Sequence, residues 1–354
     1  MHTSSDGKDL ISFTDNDYLG LSTHPDVIKA ANSATQKYGA GAGASRLVTG
    51  NSPLYNILEQ KIASLKECED AIVFGSGYMA NIGIIPALVG KNDLIIADEL
   101  VHTCIHTGIS LSKATCHLFK HNDVDHAKAL LEEHRANYGN AMLLVDGVYS
   151  MDGDIAPLKE LGELCLEHDV WLMNDDAHAL GTIGNGKGSA AATGASKLVP
   201  LQMGTLSKAV GAYGGYLAGP KSIINLMKSR ARSLIYTTGL PPGILAAAIK
   251  AIDIIEYDKG RVARPLKLAQ KFAAALNLPK PVSPIVPIII GDETSTLASS
   301  EKLALTGFQV IAFRPPTVPE GTCRLRFTFS ASHKDSDVDR LINICHGLKL
   351  HVKT

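Results

Sequence analysis

The run Gly204-Thr205-Leu206-Ser207-Lys208-Ala209, continuing as Val210-Gly211-Ala212-Tyr213-Gly214-Gly215, sets a lysine among small and hydroxylated residues. Nothing bulky blocks the approach of a carbonyl carbon to that amine, so it can form an imine. The neighbouring hydroxyls, Thr205 among them, can bind a phosphate. Taken alone, a Ser-Lys pair in a glycine-rich segment is far more often a surface turn. Three other segments reverse that reading.

Leu172-Met173-Asn174-Asp175-Asp176-Ala177-His178 follows the apolar start of a buried strand. Catalytic groups of open α/β sheets lie beyond the carboxyl ends of strands. Asp175 can hold a protonated ring nitrogen, and His178 can hydrogen-bond a ring oxygen; Asp176 reads as a turn or helix cap. Phe74-Gly75-Ser76-Gly77-Tyr78-Met79-Ala80-Asn81 follows Ala71-Ile72-Val73. Its glycines let backbone approach a phosphate, and a helix starting there aims the N–H groups of Gly77 and Tyr78 at it. His102, beyond the strand Leu94-Ile95-Ile96-Ala97, can stack flat on a pyridine ring. Each of these alone is weak, since a turn, a strand-to-helix connection and a polar loop give the same residues. Together they meet the demands of pyridoxal 5'-phosphate (PLP): a lysine for its aldehyde, a carboxylate for its nitrogen, donors for its phosphate and a face for its ring.

With Asn16-Asp17-Tyr18-Leu19-Gly20-Leu21 at one end and Arg314-Pro315-Pro316-Thr317 and Arg324-Leu325-Arg326 at the other, the chain resembles the α-oxoamine synthases over nearly its whole length. These PLP enzymes condense an amino acid with an acyl thioester. The resemblance implies a fold-type I PLP-dependent transferase of the aspartate aminotransferase-like kind. It implies that Lys208 carries PLP and, once freed, takes the α-proton. Asp175 pairs the ring nitrogen, His178 and Ser150 contact the ring oxygen, and His102 stacks. Gly77, Tyr78 and Thr205 bind the phosphate. Thr238 reaches the phosphate from a neighbouring subunit, which implies a homodimer with a shared active site. Arg314 clamps the amino-acid carboxylate, with Asn16 and Thr317 beside it. A guanidinium fork suits that task where lysine would not.

The segments around Asp175 and Lys208, and Arg314 to Thr322, most resemble a biotin-forming branch of the family, and that resemblance implies L-alanine and a pimeloyl thioester, on CoA or acyl carrier protein, as substrates. A glycine-using synthase acting on acetyl- or succinyl-CoA is the alternative, and a non-catalytic regulatory subunit is the alternative of another class. Fifteen residues precede Asn16 and no arginine precedes Arg46. An arginine on an N-terminal arm is therefore not expected to read the distal acyl carboxylate, and acyl length stays open. So does the group, His178 or Lys208, that protonates the thioester oxygen.

Composition excludes other classes. A net charge of −1 provides no field for nucleic acid or an anionic membrane. No apolar run reaches the length of a membrane span, and the N-terminus lacks a signal-like apolar core. Six scattered cysteines without a C-x-x-C pair predict reduced thiols in a cytoplasmic protein. The histidines lack metal-site spacing, so no metal is expected.

Apolar runs at Ala71–Phe74, Leu94–Ala97, Ala141–Asp146, Val170–Asn174, Leu201–Gly204 and Tyr216–Ala218 alternate with helical patterns. This predicts a mostly parallel α/β sheet. The expected division is an N-terminal segment (1–35), a large PLP-binding domain (36–240) and a smaller C-terminal α+β domain (241–354) that includes a linking helix.

Overall fold

The computed structural model describes the backbone of residues 2–5 and 8–350, and side chains from Asp9 onward. Contacts divide the chain into two units. The larger holds residues 21–149 and 155–259; the smaller holds 1–20, 150–154 and 260–354. The division falls after Lys259, not at 240. Helix Pro242–Tyr257 packs on helices Pro25–Tyr38 and Pro53–Lys66, burying Leu245, Ala248, Ile252 and Ile255, so it belongs to the larger unit. The N-terminal segment is split likewise, with helix Pro25–Tyr38 in the larger unit and residues 1–20 in the smaller.

Seven strands form the sheet of the larger unit: β1 Asp70–Phe74, β2 Leu94–Asp98, β3 Thr115–Phe119, β4 Ala141–Asp146, β5 Trp171–Asp175, β6 Leu201–Thr205 and β7 Gly215–Gly219. Their order is β1-β7-β6-β5-β4-β2-β3. All neighbours run parallel except β7, which is antiparallel to both β1 and β6. The central strands read as unbroken apolar runs because both faces are covered. One face packs with helices Gly77–Leu88 and Thr103–Ser112 around Ile84, Ile95, Leu144 and Met203. The other packs on Leu131, Leu161, Leu164 and Val199.

Strand β3 was not expected from the sequence. It is an edge strand whose Thr115, Cys116, His117 and Leu118 stay partly or fully exposed, so no apolar run marks it. Helix Thr103–Ser112 was likewise unmarked. It begins at His102, whose Nδ1 accepts from the Cys104 N–H at 3.2 Å in place of a Ser or Asp cap.

In the smaller unit an antiparallel sheet pairs Ile285–Gly291 and Ala312–Phe313 with Cys323–Thr328. Phe13, Phe272, Phe308, Phe327 and Phe329 fill its core against helix Asp335–Gly347. The Thr328 N–H donates to Phe13 O and the Ala331 N–H to Tyr18 O, which ties the Asn16 segment to the end of Cys323–Thr328.

Among the described residues no helix is long and apolar enough to cross a membrane. All six cysteines are free thiols.

Candidate active site

The parallel strands of the larger unit release their last residues into one cavity of about 220 Å3. Asp146, Asp175 and Thr205 end β4, β5 and β6 and line it; His102 and Lys208 follow β2 and β6. The N-terminus of helix Gly77–Leu88 also lines it. The sequence segments that motivated a common site therefore converge, although up to 131 positions separate Gly77 from Lys208.

The loop bearing Lys208 is closed by its own backbone. Leu206 N–H donates to Gly214 O, Ala212 N–H to Leu206 O and Gly211 N–H to Lys208 O, each at 2.9 Å. Gly211 has φ +68°, and a Cβ there would lie 2.3 Å from the Ser22 nitrogen. A Cβ on Gly215 would lie 2.4 Å from Ser76 O, so only glycine allows β7 to pass the helix start. Within this frame the Lys208 Nζ lies 2.7 Å from His178 Nε2.

At the helix start, Ser76 Oγ accepts from the Met79 N–H at 3.1 Å. The first N–H groups, those of Gly77 and Tyr78, lie beyond reach of the helix's own carbonyls. Thr205 Oγ1 donates to Gly214 O at 2.8 Å and lies 2.8 Å from Ser207 Oγ. The Thr205 proton is thus directed at backbone, and Ser207, a wall residue given no role from sequence, brings a second hydroxyl to this end of the cavity.

Asp175 accepts from Asn81 Nδ2 on one oxygen at 2.8 Å and from the Ala177 N–H on the other at 2.9 Å. Beside it on the neighbouring strand, at the same level of the register, stands Asp146. Burial, and next the adjacent Asp175, push the Asp146 carboxyl well above the ordinary range. Its Oδ1 lies 3.3 Å from the His102 N–H. His102 uses Nδ1 as acceptor for the Cys104 N–H, which leaves the remaining proton on Nε2. Desolvation lowers its pKa, with Asp175 opposing, so the ring is neutral at the rim of the cavity. Burial pushes the Cys104 thiol, 2.9 Å from His102 Nδ1, up to about 12. It is an unreactive wall group at neutral pH.

Asp176 does not cap a helix. It is buried with Lys66, its Oδ2 2.5 Å from Lys66 Nζ, and its Oδ1 accepts from Asn174 Nδ2 at 2.8 Å and from Ser189.

Four expected residues lie in the smaller unit. Ser150 heads its 150–154 segment. Arg314 is about half exposed and ion-paired with Glu293, and Thr317, also exposed, donates its N–H to Arg314 O at 3.0 Å. Asn16 lies elsewhere, and its Oδ1 accepts from Arg326 Nη2 at 3.1 Å. Arg326 is 3 % exposed, has Tyr18 OH 3.2 Å from the same Nη2, and has no carboxylate partner among the described residues; its Nε is buried without an acceptor. The guanidinium beside Asn16 therefore belongs to Arg326. Thr238, in the larger unit, is exposed and bridges to Ser45 through backbone.

These groups suit PLP. A helix N-terminus with the hydroxyls of Ser76 and Ser207 fits the phosphate, a carboxylate fits the ring nitrogen, a neutral imidazole fits the ring face, and the Lys208 amine lines the same cavity.

Residues 8–344 match the model of the family described as Aminotransferase class I and II. The 8-amino-7-oxononanoate synthase of Methylocella silvestris is 57 % identical over 341 residues, covering 96 % of this chain and 97 % of that protein. Among solved structures, serine palmitoyltransferase from S. paucimobilis with a bound PLP–myriocin adduct superposes with TM-score 0.94 at 30 % identity, over 98 % of this chain and 89 % of that one. The 8-amino-7-oxononanoate synthase of Francisella tularensis superposes with TM-score 0.80 at 27 % identity, over 96 % and 98 %.

Proposed function

We propose that this chain, which belongs to the class I and II aminotransferase family and within it to the 8-amino-7-oxononanoate synthases, joins L-alanine to a pimeloyl thioester and releases 8-amino-7-oxononanoate, CO2 and the free thiol. PLP is its cofactor. The observation that carries the reading is the Lys208–His178 contact of 2.7 Å in a cavity walled by Asp175 and a helix N-terminus.

When bound, PLP supplies an electrophilic aldehyde carbon and a ring that accepts the electron pair left on Cα. The chain supplies the rest. Helix Gly77–Leu88 would offer its positive end to the phosphate, with the Ser207 hydroxyl, 2.8 Å from Thr205 Oγ1, alongside. Asp175 would hold the ring nitrogen and keep it protonated. The neutral His102 ring would supply a face for the cofactor ring without adding charge. Lys208 provides the amine and then moves the proton at the substrate Cα. His178, at hydrogen-bond distance, takes or returns that proton and holds the amine in place.

For the α-carboxylate we favour Arg326 with Asn16 over Arg314. A buried guanidinium with no acidic partner is completed by an anion, whereas Arg314 already has Glu293. Holding the carboxylate orients the Cα–H bond for cleavage. Thr238 is exposed, as a residue serving a second subunit's phosphate would be, and a homodimer is part of this proposal.

The test is thiol release by the PLP-loaded protein with L-alanine and pimeloyl-CoA, run beside glycine and acetyl-CoA. Release with the first pair supports the proposal. Release only with the second reassigns the enzyme to a glycine-using branch, and release with neither refutes a synthase acting on CoA thioesters.

A further inference from the structure

Helix Gly77–Leu88 is apolar through its interior except at Asn81, which is fully buried. Asparagine is a poor helix residue and a costly one to bury, so its presence needs a partner. The partner is Asp175. The Asn81 amide donates to Asp175 Oδ2 at 2.8 Å, and Nδ2 also lies 3.0 Å from Cys104 Sγ. The carboxylate can only accept, so it fixes which end of the amide faces it. Asn81 Oδ1 is then buried with no partner among the described residues. An amide chosen for packing or for its own satisfaction would not leave its acceptor stranded. This one is turned to serve the carboxylate.

The Ala177 N–H takes the other oxygen at 2.9 Å. The two donors come from different elements, one from the helix that starts at the phosphate end of the cavity and one from the turn after β5. They clamp the carboxylate's rotation about its Cβ–Cγ bond. Two donors leave lone pairs on both oxygens for the cavity. Register also brings Asp146 alongside.

We propose that Asn81 is a positioning residue that holds the Asp175 carboxylate in the orientation that receives the protonated ring nitrogen of the cofactor. The proposal rests on the reading of Asp175 as the ring-nitrogen partner. It links the two ends of the cofactor through one helix: residues 77 and 78 face the phosphate, and one turn later residue 81 aligns the carboxylate for the ring.

The experiment is titration of purified apoprotein with PLP, following affinity and the position of the visible absorption band, together with the melting temperature of the apoprotein. The variants are Asn81→Ala, Asn81→Asp and Asp175→Asn. Asn81→Ala should bind PLP roughly tenfold more weakly, the lower end of what losing an outer hydrogen bond to a ligand costs at metal sites. Its band should move in the same direction as that of Asp175→Asn. Asn81→Asp keeps the shape and places an acceptor against the carboxylate, so it should lose more affinity. Parent affinity and band position in both Asn81 variants, with Asp175→Asn impaired, overturn the role of Asn81 alone. A fallen apoprotein melting temperature with an unmoved band in the folded fraction also overturns it, because that is the mark of a merely structural residue. An unimpaired Asp175→Asn overturns the reading of Asp175 and this proposal with it.

Discussion

Asp175 and Asp176 are joined by one peptide bond and have opposite surroundings. Asp176 is closed upon by protein: a lysine ammonium, a serine hydroxyl and an asparagine amide, with its side chain and that of Lys66 wholly buried. Asp175 has two neutral donors, no cation at hydrogen-bond distance among the described residues, and a cavity in front of it. Successive residues at a strand end face opposite sides, so one carboxylate enters the core and the other the site. The arginines of the smaller unit divide in the same way. Arg314 is exposed and paired with Glu293, while Arg326 is buried and, among the described residues, has neutral partners only. A charge that the protein has already satisfied is a structural part. A charge held by neutral groups and left without its counter-ion is where a ligand belongs.

The largest effect should come from the unsatisfied member of the first pair. Asp175→Asn removes charge and keeps shape, so turnover should fall on the order of 10³-fold, the scale of losing one preorganised electrostatic contact in an active site. Its apoprotein should melt within a few degrees of the parent. Turnover within tenfold of the parent would break the distinction between the two aspartates. The satisfied member should behave in the reverse manner. Lys66→Met strands the Asp176 carboxylate and should cost about 3 kcal/mol of folding stability, read by denaturant unfolding of the apoprotein. The fraction that remains folded should bind PLP with nearly parent affinity. Lost affinity at parent stability would place Asp176 in the site after all.

The residues whose role depends on local chain geometry were legible in the sequence. Lys208 in its glycine loop, Gly77 at a helix start, and His102, Asp175 and His178 beyond strand ends all reach one cavity. What the sequence hid depends on distant partners. Arg326 lies in a strand where alternate residues normally reach solvent, and its burial beside Asn16 joins positions 310 apart. Arg314 drew attention because its segment resembles the family's carboxylate-clamping motif, a local signal that says nothing of Glu293. Asp146 became notable only through its register with Asp175, and Asn81 only through its amide. The boundary near 240 was misplaced for a similar reason. Pro241-Pro242 is a strong local break, but the face of helix Pro242–Tyr257 is claimed by two helices from the first 66 residues.

The arginine pair sharpens the comparison at smaller amplitude. Arg326→Lys keeps the charge and loses the planar fork, so the KM for the amino acid should rise roughly 10- to 100-fold with a smaller change in kcat. Arg314→Ala should matter least. Its pair with Glu293 is solvent-exposed, with side chains 52 % and 53 % accessible, and such pairs contribute about 0–1 kcal/mol. The expected outcome is a KM within about twofold of the parent, a change below ~0.5 kcal/mol on the same scale. Steady-state kinetics with varied amino acid at saturating thioester decides between them. If Arg314→Ala raises that KM tenfold while Arg326→Lys does not, the carboxylate is read by the exposed arginine. Glu293 would then be a competitor that substrate displaces, and the link between an unpaired buried charge and ligand binding would fail at this position.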